Sequence, residues 1–145
     1  MRPGGRKGVA TLCILATALA AGCGGDDGPR TEKEQIADAI TRFNRAFSKG
    51  DGEATCKLIT DQYRQSIELG HDEPCARAVE QEAGPQGAEH EQVKALGEAH
   101  VENVQIVETV ATGDVVGPGL DNGPPAQAQQ EGGRWLVSAT AWGTL

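Results

Sequence analysis

The sequence predicts an α+β domain, and three observations carry that reading. Helical periodicity with capping signals fills the stretch from Thr31 to Gly84-Pro85. Strand-like runs, the first rich in β-branched residues, begin only at Val101, and a Gly132-Gly133 turn joins the last two of them. Helices first and an antiparallel sheet after them are the layout of helices packed on one sheet.

The first helix is predicted over residues 31–49. Thr31 with Glu34 makes a capping box, and Ile36, Ala39, Ile40, Phe43 and Phe47 recur at helical spacing to form one apolar face. Lys33, Asp38, Arg42, Arg45 and Lys49 occupy the remainder, and Gly50 suits the C-terminal cap. The apolar face is expected to pack on a sheet that holds Trp135 and Val137. A second helical region starts at Asp51 and runs through Ala54, Cys56, Leu58 and Ile59, with Tyr63 and Ile67 continuing its face as far as Gly70. A third starts at Asp72-Glu73-Pro74-Cys75, with Pro in its first turn, and stops at Gly84-Pro85. Residues 88–98 are ambiguous: Val93 and Leu96 suit a helical turn in a mostly polar segment.

In the second half, Val101–Val110 reads as a strand, Gly113-Asp114 as a turn and Val115-Val116 as a short strand broken by Gly117-Pro118-Gly119. Asp121–Pro125 reads as a loop, Ala126–Gln130 as alternating small and polar residues, and Arg134–Ala139 as the final strong strand. Strand alternation places Trp135, Val137 and Ala139 in the core and turns Leu136 and Trp142 outward. An outward Trp142 is a partner contact or a plug over the sheet.

The N-terminus carries a different signal. Arg2, Arg6 and Lys7 precede the apolar run Val9–Ala21, the layout of a secretory signal peptide. The run is too short to span a membrane, which takes roughly 20 apolar residues. Leu19-Ala20-Ala21-Gly22-Cys23 resembles the lipobox of bacterial lipoproteins. That resemblance implies cleavage after Gly22 and a diacylglyceryl, palmitate-type anchor on Cys23, placing the domain on the extracytoplasmic face of the cell membrane. Two or more acyl chains hold a protein there stably. The alternative is an ordinary signal cleaved near Ala21 that leaves Cys23 a free thiol. Residues 1–22 are thus the signal peptide, 23–30 a lipidated flexible tether of Gly, Asp and Pro, and 31–145 a single domain.

Charge narrows the partners. The whole chain has 13 basic and 21 acidic residues, and three of the basic ones lie in the signal. The mature chain therefore sets ten against 21, a net charge of −11. That balance argues against nucleic acid, which takes a basic footprint, and against docking on anionic lipid through the protein surface. The membrane is engaged through the anchor at Cys23, and any other partner is a small molecule or an envelope protein. Of the four cysteines, Cys13 leaves with the signal and Cys23 takes the lipid. Cys56 and Cys75 remain as an even pair in an oxidising compartment, where disulfides persist. The other reading, a redox or metal thiol pair, has neither a CxxC motif nor a His at zinc-ligand spacing.

The order of capped helix, Lys49-Gly50-Asp51 turn, two further helices and strands, closed by Glu131-Gly132-Gly133-Arg134-Trp135-Leu136-Val137, resembles the nuclear transport factor 2-like superfamily. The resemblance spans roughly residues 31–140 and implies a cystatin-like cone, in which a curved antiparallel sheet wraps a helix. A lipoprotein branch of that superfamily is similar in carrying cysteines at the starts of the second and third helices, as Cys56 and Cys75 stand here. Superfamily enzymes, such as ketosteroid isomerases and polyketide cyclases, work with a carboxylate or His inside the cone, where apolar surroundings tune its pKa. Glu108 is the weak catalytic candidate, because alternation sets it with Val104, Ile106 and Val110; Glu102, Asp114 and His100 follow it. The competing expectation for a lone strand acid is solvent exposure. His71, His90 and His100 sit in polar segments and read as surface residues. No cofactor motif and no metal-ligand spacing is present, and neither Gly-rich stretch lies between a strand and a helix as a phosphate loop would. The sequence thus favours a non-catalytic binding domain, with an isomerase, dehydratase or cyclase using an acidic base as the alternative.

Overall fold

A computed structural model describes residues 29–84, 90–120 and 125–140. Five helices, α1 (Glu32–Ser48), α2 (Gly52–Cys56), α3 (Asp61–His71), α4 (Cys75–Glu82) and α5 (His90–Leu96), precede four strands, β1 (His100–Val107), β2 (Val110–Val116), β3 (Ala126–Glu131) and β4 (Arg134–Ala139). The strands form an antiparallel meander in sequence order. The fold is α+β, as the order of patterns indicates. The expected signal peptide (residues 1–22), Cys23 and Trp142 lie outside the described residues.

α1 is built from its local signals. Thr31 Oγ1 accepts from the Glu34 amide, the Glu34 carboxylate accepts from the Thr31 amide at 2.6 Å, and Gly50 takes a left-handed φ of 66° just beyond the end. The Thr31 amide holds the Glu34 carboxyl below its usual range. Ile36, Ala39, Ile40, Phe43 and Phe47 are all buried. Phe43 and Phe47 stack one turn apart with ring centroids 5.9 Å apart. This face packs on the sheet, across β1 at one side and β4 at the other. The core also takes in Trp135 and Val137, as the sequence anticipates. Asn44 is 1% exposed on the same helix, and neither polar atom of its amide finds a partner among the described residues.

The second helical region is two helices rather than one. α2 is capped by Asp51, whose carboxylate accepts from the Ala54 amide, and it ends at Cys56. Leu58–Thr60 then lies parallel to β4: the Val137 amide donates to the Leu58 carbonyl and the Thr60 amide to the Val137 carbonyl, each at 2.9 Å. Thr60 next caps α3. Apolar periodicity carried through the break because both helices face the same core. α3 also runs past Gly70 to His71, and Asp72 takes the left-handed C-cap position, with φ 53°. Residues 90–96 of the ambiguous stretch are helical, with Val93 and Leu96 buried.

Cys56 and Cys75 form a disulfide with Cα atoms 6.2 Å apart, joining the end of α2 to the start of α4. Beside it the two helices touch at Gly52, where a Cβ would lie 2.1 Å from the Ala76 carbonyl oxygen.

In the sheet, the reading of Gly113-Asp114 as a turn is corrected. Both lie inside β2, and the turn is Glu108-Thr109, between the paired residues Val107 and Val110. Gly113 is there for space: a Cβ would meet Val101 Cγ1 at 2.6 Å. β1 carries one extra residue between Glu102 and Gln105, a bulge at which Asn103 adopts φ 51° and donates to Asp114 at 2.9 Å. The β3–β4 hairpin turns on Gly132 and Gly133, both with positive φ, as the sequence predicts.

Candidate functional site

The strand candidates for an acidic base have no enclosure. Glu108 does not share a strand face with Val104 and Ile106; it is exposed on the β1–β2 turn at φ 58°. Alternation fails there because the strand ends one residue earlier. Glu102 and Asp114 are brought opposite each other across β1 and β2, with His100 Nε2 2.8 Å from Glu102 and Asn103 on Asp114. Glu102 and His100 are exposed, so this cluster faces water. His71 is half-buried at the end of α3, and the side chain of His90 lies outside the described residues. Among the described residues no group of His, Cys, Asp or Glu is arranged to hold a metal, and no helix is long and apolar enough to cross a membrane.

Two concave features lie at the other end of the sheet, beside β4. A cavity of about 370 Å³ opens between the first half of α1, Lys57-Leu58 and the start of β4. Leu58, Trp135 and Leu136 supply its apolar surface. Its charged lining is Arg30, Arg42, Lys57 and Arg134 against one carboxylate, Asp38. Asp38 stands one helical turn from Arg42, and its Oδ2 receives both Arg42 Nε at 3.1 Å and Arg30 at 3.4 Å. Lys57 bonds Glu53 at 2.6 Å, and that bond holds its ammonium above the usual lysine range. Arg134 has no ion-pair partner among the described residues. A second groove, of about 500 Å³, adjoins the first through Lys57, Arg134 and Leu136 and adds Arg64, which pairs with Asp61.

Leu136 corrects the expectation of an outward side chain: it is 8% exposed. It shares the second groove with Cys56, Ile59 and Arg64, so the segment that seals the β4 edge also shelters the second face of the strand. Trp135 is 7% exposed, and its indole N–H has no acceptor among the described residues. A buried donor of this kind is costly to leave unpaired. Behind the strand, Tyr63 Oη and Thr140 Oγ1 share a hydrogen bond of 3.1 Å that ties α3 to the end of β4.

By sequence, Asp38 and Arg42 belong to the polar remainder of α1, and no cation stands out for binding. The four cations of the first cavity come from positions 30, 42, 57 and 134, so no local spacing announces them. No family model, no curated protein and no solved structure matches the chain.

Proposed function

We propose that the chain is a lipoprotein held through Cys23 on the extracytoplasmic face of a cell membrane, carrying a nuclear transport factor 2-like domain that binds a partner and performs no catalysis. The observation that carries this reading is the Cys56–Cys75 disulfide, a staple suited to an oxidising compartment, on a chain that opens with a secretory layout and a lipobox-like Leu19–Cys23. The anchorage itself rests on the sequence of residues 1–23. The non-catalytic part is supported by the exposed turn position of Glu108, which lacks the apolar surroundings that tune a general base. The binding part is supported by the open, mixed polar and apolar cavity beside β4.

Fractionation of a bacterial host expressing the wild type and a Cys23→Ser variant tests the anchor. The wild type is expected in the membrane fraction and the variant outside it; equal release of both would refute the reading. A Glu108→Gln variant tests the absence of catalysis. An isomerase, dehydratase or cyclase activity that collapses with this substitution would restore the enzyme alternative.

A further inference from the structure

We infer that the cavity over Trp135 is an oxyanion site that takes a phosphate group, with the apolar floor receiving the portion of the ligand next to it. The inference deepens the binding-domain reading and rests on it. Four of the ten basic residues of the mature chain line this one cavity, against a single lining carboxylate. Lys57 is already paired with Glu53, and Asp38 cannot satisfy the three arginines. Arg30 and Arg42 share one of its oxygens, which leaves most of their guanidinium donors free. Arg134 has no ion-pair partner among the described residues. The long-range field of a chain at −11 repels anions, so capture depends on this local convergence.

The donors come from three separate pieces of chain: α1 and the residue before its cap, the link after α2, and the start of β4. One arginine fork already satisfies a planar carboxylate. Several cations on different walls suit the three or more acceptor oxygens of a phosphate. The volume of about 370 Å³ holds a phosphate and a short adjoining group. Two sources supply that chemistry. Arg30 is seven residues after Cys23, within about 25 Å of it along an extended chain, so a phospholipid headgroup is in reach. A soluble phosphate ester is the other source.

The test uses the mature chain, residues 23–145, with Cys23→Ser. It is titrated calorimetrically with inorganic phosphate and floated with vesicles of phosphatidylglycerol or of phosphatidylcholine. Saturable phosphate binding that weakens about tenfold in Arg134→Gln and falls with added salt supports the inference and a soluble source. Flotation with phosphatidylglycerol vesicles that Arg134→Gln abolishes supports it with a headgroup source. Lys94→Gln, on α5 outside the cavity, is expected to change neither. Melting curves check each variant's fold, and Lys57→Gln replaces Arg134→Gln if that variant unfolds. The inference is overturned if neither probe binds, or if binding survives both Arg134→Gln and Arg42→Gln. An anchored wild type that binds neither probe would overturn this inference alone. Phosphate binding by a chain whose wild type is released from the membrane would overturn the anchor alone.

Discussion

At one edge of the sheet, β4 is paired along its outer side by Leu58–Thr60 and buries Trp135, Leu136 and Val137 in succession. At the other, β1 pairs only with β2 among the described residues, and Val107 near its end is 72% exposed. The sealed edge can hold side chains of unlike character close together, because its backbone is fixed from both sides. There an apolar floor and several cations share one cavity. The open edge is defended instead: the bulge at Glu102–Gln105 and the charged and polar residues around it disfavour pairing with another chain. Burial, more than residue type, separates the two. Both edges carry charge, and the sealed one combines it with a concavity.

The comparison can be broken most severely at what the two edges share. Phe43 is 1% exposed, on the face of α1 that packs across both β1 and β4. Phe43→Ala is expected to cost about 3–5 kcal/mol, measured by denaturant unfolding, and a loss under about 1 kcal/mol would mean that α1 is not the common support.

The next effect belongs to the sealed side. Replacing Cys56 and Cys75 together by Ala frees α2 from α4 and is expected to cost about 3 kcal/mol, from loop-closure entropy. Thermal unfolding with and without reductant provides the same comparison on the native chain.

A paired substitution sharpens the contrast directly. Thr60 is 1% exposed, caps α3 and donates its amide to β4. Thr60→Ala is expected to cost about 0.5–2 kcal/mol through the lost cap, whereas Val107→Thr at the open edge should stay within about 0.5 kcal/mol. Equal losses would erase the distinction between the edges.

A smaller effect appears at high pH. Burial raises the Tyr63 phenol above its ordinary 10.0, although the Thr140 hydrogen bond opposes the shift. The folded state then keeps a proton that the unfolded chain releases. This contribution is fully present below pH about 10 and is lost as pH rises through the folded value. Tyr63→Phe should therefore flatten the alkaline fall in stability relative to wild type, and parallel curves would contradict that assignment.

The legible parts of the fold are those set by neighbouring residues. The Thr31–Glu34 box, the Ile36–Phe47 face and the Gly132-Gly133 hairpin are local signals, and each stands where the sequence places it. The division of the second helical region was not legible, because Leu58–Thr60 is extended by pairing with Val137, far away in sequence. Gly113 misled for a related reason. A turn and a close side-chain approach both demand glycine, and only the position of Val101 decides between them. Glu108 gave no warning, since a non-glycine residue at positive φ lacks a compositional mark. The same holds for the cavity: its cations are scattered along the chain and gathered by topology, so composition showed only a strongly acidic protein.

Binding is assigned to the sealed edge, and a map of backbone amide chemical shifts during phosphate titration is the deciding measurement. The expected result is movement concentrated at Lys57, Leu58 and Gly133–Leu136. Shifts concentrated at β1 and the Glu108 turn, or spread evenly over the chain, would contradict it.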